Sequence, residues 1–228
     1  SFKKINLKFL NDPKKLFFSQ NFVLSAFNLA FLGAYAKGQI EINKNFFIWP
    51  DGYYFKKISK LHIDKLPGRE FLNQLTIPEE IKDIYILGNL SKSGKIYLEE
   101  KFKKKINHIQ LPYGELDDFK KFIPIFKENE ICFLTLPTPK QEIIANYIQT
   151  KQKFYKIFCF GAAVNMACGS ERPLPKYFEK FFFAETIWRL QFETKRRTLR
   201  LLQSFNNYLY GKRKGYFNNI TFTNIHED

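Results

Sequence analysis

The sequence predicts an α/β fold: a Rossmann-like, largely parallel sheet flanked by helices, with a basic helical C-terminal appendage. Two observations indicate this fold. Short apolar runs alternate with helix-length amphipathic segments up to about residue 168, which is the pattern of consecutive βαβ units. From about Gly169 these runs stop and a basic, aromatic, helix-compatible segment follows. We therefore expect an α/β core over residues 1–170, an appendage over 171–210 and a loose tail over 211–228.

The predicted elements follow one another along the chain in βα order. Each predicted strand is an apolar run too short for a typical helix, and helix-length segments separate the runs. The predicted strands lie at 21–27, 46–50, 83–88, 107–112, 130–137 and 154–163. The predicted helices lie at 28–37, 52–60, 68–75, 93–105, 115–128 and 138–150.

Length and composition limit the class of protein. A chain of 228 residues with 45% hydrophobic content can bury one sizeable core but not two full-sized domains. The net charge of +15 favours an anionic partner, and a nucleotide, a nucleic acid or an acidic lipid would each qualify. Cys132 and Cys159 lie inside apolar runs, and the three cysteines are odd in number, so we expect reduced, structural thiols.

Several sequence fingerprints are missing. There is no run of 18 or more apolar residues and no basic-then-apolar leader, so we expect a protein that neither spans a membrane nor is exported. Neither GxGxxG nor GxxxxGK[ST] occurs, which argues against a dinucleotide-binding motif and against a P-loop. Because DxD and Cys/His clusters are also missing, we expect no metal and no other cofactor.

Polar residues follow several of the predicted strands, where ligands bind in parallel α/β sheets. Asn28 follows the first run, and Asp51 follows the second and precedes Gly52. A carboxylate at a strand end, beside a residue without a side chain, could act as a general base toward a hydroxyl group. The alternative is a simple turn, since Pro-Asp-Gly is a common turn sequence.

Two further segments have the composition of a nucleotide site. The segment from Pro137 to Glu142 leaves a strand and opens a helix, so its backbone donors could bind an anion, and Gln141 could bind a sugar hydroxyl or a ring edge. Gly161 and Ala162 are small enough to let the backbone approach a ligand. An ordinary helix start and tight helix-on-sheet packing explain the same residues without any ligand.

The basic segment is a localised feature of the chain. Residues 172–214 contain eleven Lys and Arg against three Asp and Glu, a net charge of +8. A basic helix with aromatic anchors can lie on an anionic membrane surface. The alternative is a terminal helix whose apolar stripe packs on the core while its charges are solvated.

Three blocks in the second half of the chain resemble the WecG/TagA/CpsF family, glycosyltransferase family twenty-six. They are CFLTLPTPKQEIIANYI (132–148), FCFGAAVNMACG (158–169) and AETIWRLQFETKRRTLR (184–200). In the first half SAFNLAF (25–31), WPDG (49–52) and LPGREF (66–71) resemble family elements less closely. The resemblance covers roughly residues 22–205.

This resemblance implies an inverting, metal-independent transfer of a sugar, such as an N-acetylmannosamine-type hexose, from a UDP-sugar to a polyprenyl-diphosphate-linked acceptor in cell-surface polysaccharide biosynthesis. It implies a cytoplasmic protein, peripheral on the inner face of the membrane, and it is compatible with a homo-oligomer. Asp51 would be the general base. Substrate-binding positions would be Ser25, Asn28, Lys65, Lys140, Gln141, Gly161 and Ala162, and diphosphate or membrane contacts would come from Arg189, Arg196, Arg197 and Arg200.

One departure from the family pattern keeps a second hypothesis open. The family's active-site threonine falls on Ala26, and the adjacent Ser25 would point to the opposite face of a strand. A catalytically impaired member that serves as a binding subunit of a polysaccharide assembly complex is therefore the alternative.

The basic, aromatic composition alone would also suit a nucleic-acid-binding protein. However, no RNP, KH, zinc-finger or helix-turn-helix signature is present, so we expect no nucleic-acid partner.

Overall fold

A computed structural model describes residues 4–170 and 195–226, with the side chains of 195–197 outside the description. The strands are β1 (Ile5–Phe9), β2 (Phe22–Ala26), β3 (Phe46–Trp49), β4 (Asp83–Gly88), β5 (Lys105–Ile109), β6 (Glu130–Thr135), β7 (Lys156–Cys159) and β8 (Ile220–Asn224). They form one sheet of eight strands in the order β5-β4-β6-β7-β2-β3-β1-β8. All seven pairings between neighbours are parallel. The predicted α/β fold with a flanked parallel sheet is confirmed.

Helices cover both faces of the sheet. They are α1 (Leu29–Ala36), α2 (Tyr53–Ser59), α3 (Gly68–Gln74), α4 (Lys92–Phe102), α5 (Leu116–Phe119), α6 (Lys140–Lys151), α7 (Ala163–Ala167) and α8 (Lys195–Arg213). One core contains side chains of α1, α5, α6 and α8, including Phe31, Ile144 and Tyr208. The other contains side chains of α3, α4 and α7, including Phe71 and Leu98. Both faces of the sheet are therefore buried, as is usual for parallel sheets.

All six predicted strands are present, and two strands were missed. The prediction of a loose tail over 211–228 is wrong for its described residues, 211–226: Tyr216–Asn219 form a short 3-10 helix, and β8 pairs with β1 along its whole length. Strand β1 lies in a region to which the sequence pattern assigned no element. Residues 195–226 therefore continue the sheet and its helical layer.

Helix α8 packs tightly on α1. A Cβ atom added to Gly33 would lie 2.7 Å from the carbonyl oxygen of Ser204, and one added to Gly211 would lie 2.6 Å from the Cβ atom of Ala36. Tyr208 is buried between the helices and the sheet. The interpretation of this segment as a helix packed on the core is thus correct for one of its faces. Its other face exposes Leu199, Leu202 and Phe205.

The order of the strands places a topological switch point between β4 and β6. The chain leaves β4 toward β5 through α4 on one face, whereas it leaves β6 toward β7 through α6 on the other face. Loops that diverge in this way open a crevice at the carboxyl ends of the two strands, which is where α/β proteins bind ligands. The candidate site lies along this edge.

Candidate functional site

The sheet brings the most informative polar residues to one edge. Strands β6, β7, β2 and β3 are adjacent, and all run in the same direction. Gln141, Gly161, Asn28 and Asp51 each follow the end of one of them. Residues from four separate parts of the chain therefore lie along the carboxyl edge, which also contains the crevice between β4 and β6.

Asn28 and Asp51 form a hydrogen-bonded pair. The Nδ2 atom of Asn28 donates to Oδ2 of Asp51 at 3.0 Å, while Oδ1 of Asn28 accepts the backbone N–H of Phe31 at 3.2 Å. Asn28 thereby caps α1, and capping fixes which end of its amide faces Asp51. Both side chains are half-buried. The carboxylate is held at the strand end in a position from which it can accept a proton.

The loop that carries Lys65 crosses the end of β3. The backbone N–H of Leu66 donates to the carbonyl of Pro50 at 2.7 Å, which ties this loop to the residue before Asp51. Lys65 itself is exposed. The contact of Lys65 with a substrate stays a prediction.

A buried polar cluster joins the ends of β2, β6 and β7; we call Ser25, Thr138, Gln141 and Glu142 the Glu142 cluster. The Oε1 atom of Glu142 accepts from Ser25 Oγ at 2.8 Å, Thr138 Oγ1 at 3.0 Å and Gln141 Nε2 at 3.0 Å. Burial raises the pKa of the Glu142 carboxyl, and the hydrogen bonds from Ser25, Thr138 and Gln141 oppose this shift.

Two residues predicted as substrate contacts, Ser25 and Gln141, belong to this cluster. Ser25 is fully buried and faces α6, so its hydroxyl group serves Glu142 rather than an open cleft. As predicted, Ala26 points to the opposite face, into the core beside α3. The amide of Gln141 is buried and engaged at both ends: Nε2 also donates to Thr138 Oγ1 at 3.1 Å, and Oε1 accepts the N–H of Gly161 at 3.0 Å.

The other residues of the nucleotide prediction have distinct environments. Gly161 adopts a left-handed conformation with φ of 56°, which favours glycine, and Ala162 follows it at the start of α7. Lys140 turns toward the loop after β5: its Nζ donates to the carbonyl of Gly114 and lies 3.3 Å from Glu115 Oε1. Lys140 is therefore paired within the protein, away from Gly161.

Sequence reasoning missed Glu142 as a site residue. The signal was its position on α6, three residues before Ala145, a spacing that places both on the same side of the helix, where Ala145 is buried. A carboxylate on that stripe requires partners, because an unpaired buried charge is costly.

A second polar cluster, formed by Ser91, Ser93, Asn165, Cys168 and Ser170, flanks the crevice from the β4 side and was also missed. Ser91 caps α4 and donates through Oγ to Asn165 Oδ1 at 3.0 Å, and Oγ of Ser93 lies 2.6 Å from that of Ser170. Burial acts to raise the pKa of the Cys168 thiol, but hydrogen bonds from Ser170, Ser91 and Ser93 outweigh it and lower that pKa.

Most of the arginine side chains predicted to contact a diphosphate or a membrane lie outside the part of the chain that the structure describes. Arg189 lies outside the described residues, and Arg196 and Arg197 are placed only as backbone in α8. Arg200 is half-buried on the same helix. Their contribution to a diphosphate or membrane contact stays a prediction.

Two surface cavities lie elsewhere on the molecule. One of about 280 Å³ is lined by Gly38, Glu41, Leu116 and residues of α6, and one of about 470 Å³ by Phe18, Glu80, Lys127 and Lys156. Neither of these two cavities includes Asp51 or Glu142. The case for the carboxyl edge therefore rests on its chemistry.

No model of a known protein family matches the chain, and a search of curated proteins finds no significant match. In residues 4–170 and 195–226, no cluster of three or more His, Cys, Asp or Glu side chains could hold a metal ion. No helix within these ranges has both the length and the apolar character to cross a bilayer.

Proposed function

We propose that this protein is an inverting glycosyltransferase of the WecG/TagA/CpsF type, which transfers a sugar from a UDP-sugar to a polyprenyl-diphosphate-linked acceptor. The observation that carries the proposal is the Asn28–Asp51 hydrogen bond at the carboxyl ends of adjacent parallel strands. Both residues stand where the family resemblance assigns the substrate pocket and the general base. A half-buried carboxylate with one oxygen held by an amide suits proton abstraction from an acceptor hydroxyl.

The proposed reaction has one displacement step. Asp51 takes the proton of the acceptor hydroxyl while the oxygen of that hydroxyl attacks the anomeric carbon of the donor sugar. The bond between the anomeric carbon and the UDP oxygen breaks, and the configuration at the anomeric carbon is inverted. The departing diphosphate develops negative charge, which positively charged side chains can stabilise. The basic segment 172–214 is the source of those side chains in this proposal.

The test of this function is acceptor-dependent release of UDP from a panel of UDP-sugars, measured with a polyprenyl-diphosphate-linked sugar as acceptor and with EDTA present. Turnover that requires the acceptor and survives EDTA supports the proposal, and the active donor identifies the sugar. Binding of UDP without turnover from any donor would instead support the binding subunit, which Ala26 at the family's threonine position favours. Absence of both turnover and UDP binding would contradict both.

The exposed face of α8 supports peripheral attachment to a membrane. Leu199 is 66% exposed and Leu202 is 55% exposed, and Lys195, Arg196, Arg197 and Arg200 lie on the same helix in sequence. Apolar side chains that enter the headgroup region, together with basic residues worth about 1 kcal/mol each near an anionic surface, would hold the protein there.

Replacement of Leu199 and Leu202 by glutamate is expected to reduce binding to vesicles that contain anionic lipid at least about tenfold, because it removes two apolar anchors and adds two like charges. Co-sedimentation with phosphatidylglycerol vesicles measures this. Ile125→Glu is the control, since Ile125 is also a large exposed apolar side chain, 85% exposed, but lies outside α8. Equal loss in both variants would argue against α8 as the membrane contact.

A further inference from the structure

Glu142 is placed where it can determine the shape of the site without touching a substrate. It is the third residue of α6 and only 2% exposed. Through Oε1 it accepts one hydrogen bond from the end of β2, one from the loop after β6 and one from Gln141. One carboxylate oxygen thus ties together two strand ends and the first turn of a helix.

Gln141 extends this connection to a third strand. Its Nε2 donates to Glu142, and its Oε1 accepts the N–H of Gly161, which directly follows β7 and Phe160. The side-chain amide can present its oxygen to Gly161 only while its nitrogen faces Glu142 and Thr138. Removal of the Glu142 acceptor leaves the Gln141 amide with Thr138 Oγ1 as its other acceptor, at 3.1 Å, which weakens the hold on its orientation. If the amide turns, the N–H of Gly161 keeps its second acceptor, the carbonyl oxygen of Leu134 at 3.1 Å, and loses Gln141 Oε1.

The second carboxylate oxygen of Glu142 makes this arrangement unusual. Among the described residues, Oε2 is buried and has no hydrogen-bond partner. A buried carboxyl with one unpartnered oxygen is unfavourable compared with an apolar side chain of similar size. Its presence beside a candidate site indicates a requirement other than stability.

We propose that Glu142 is a positioning residue, which through Gln141 holds the backbone of Gly161, and through Ser25 the end of β2, in the geometry that binds the nucleotide of the donor. The role in donor binding rests on the proposed function. Gln141 Oε1 accepts the N–H of Gly161 after β7, and Ser25 is three residues before Asn28, so the cluster connects the end of β7 with the strand that leads to the Asn28–Asp51 pair.

The first arm of the test needs no substrate. Hydrogen–deuterium exchange, read by mass spectrometry, is compared for the peptide that contains Gly161 in the native chain and in Glu142→Ala, Glu142→Gln and the control Glu79→Gln. Glu79 lies in an exposed loop before β4. We expect exchange of this peptide to rise about tenfold in Glu142→Ala and to stay near native in the other two, because glutamine keeps an acceptor oxygen. Unchanged exchange in Glu142→Ala would overturn the positioning role.

The second arm measures donor binding and turnover. Glu142→Ala is expected to raise the UDP dissociation constant and the donor KM about tenfold with a smaller change in kcat, and Glu142→Gln is expected to restore both. A merely stabilising residue would lower the unfolding midpoint without this change in folded protein. If the native chain neither binds UDP nor turns over, the proposed function fails, while the exchange arm still decides whether Glu142 fixes Gly161.

The pH dependence of unfolding provides a further readout. Because burial raises the pKa of Glu142 in the folded state, its contribution to stability is full below the unfolded pKa and is lost as pH rises through the folded pKa. Glu142→Gln is expected to remove this part of the pH dependence. Glu142→Gln is compared with the native chain, and Cys159 of β7, which also interacts electrostatically with Glu142, is present in both proteins.

If Glu142→Ala does not fold, two other variants give the exchange readout. Ser25→Ala and Thr138→Val each remove one hydrogen-bond donor to Glu142.

Discussion

Asp51→Asn is expected to reduce acceptor-dependent release of UDP at least about 100-fold, the range for removal of a general base. Asparagine has nearly the same size as aspartate and its side-chain oxygen can still accept from Asn28 Nδ2, so the 3.0 Å contact can persist. Its amide cannot take up the proton of the acceptor hydroxyl. The loss should therefore fall on kcat, and the dissociation constant of UDP should stay close to that of the native chain.

Asp64→Asn is the control for this substitution. Asp64 lies thirteen positions further along the chain, is exposed and belongs to the same connection between β3 and α3. The same change of charge there should leave turnover unchanged. Native turnover in Asp51→Asn would mean that another group accepts the proton.

Phe158→Ala is expected to destabilise the fold by about 3–5 kcal/mol, the usual cost of truncating a fully buried phenylalanine. Phe158 is 0% exposed on β7, near the centre of the sheet. Its ring lies 5.2 Å from Phe22, 5.1 Å from Phe133 and 5.3 Å from Phe160, centroid to centroid. Truncation therefore removes edge-on and stacked contacts with three rings in addition to buried area.

Urea denaturation measures this loss as a lower unfolding midpoint. Phe17→Ala is the matched control, because Phe17 is the same residue type but is 53% exposed and should cost about 0.5 kcal/mol. Similar shifts in the two variants would show that the aromatic core beside α3, α4 and α7 does not dominate stability.

The sequence pattern predicted the central strands because parallel strands buried on both faces are continuous apolar runs. The ICFLTL segment of β6 and the IFCF segment of β7 are examples. Strands β1 and β8 carry polar or charged residues between apolar ones, as in INLKF and ITFTN. Such short alternating segments near the edge of a sheet have too weak a pattern to be separated from loops.

The site was predicted in part for the same physical reason. Asp51 and Asn28 could be identified because each directly follows an apolar run, and strand ends in parallel sheets converge. Their mutual hydrogen bond could not be foreseen, since it depends on β2 and β3 being neighbours. The contact between Ser25 and Glu142, 117 residues apart in sequence, depends likewise on where α6 lies over β2.

The pairing of β1 with β8 has a consequence for biosynthesis. Thr221 Oγ1 donates to the carbonyl of Ile5 at 3.3 Å, across 216 positions of sequence, and β1 lies between β3 and β8. Because β1 is synthesised before β8, its outer edge stays open until β8 has been made. An open strand edge can pair with other chains, so the nascent protein is most prone to misassociate during this interval, and a prematurely terminated chain would keep that edge permanently.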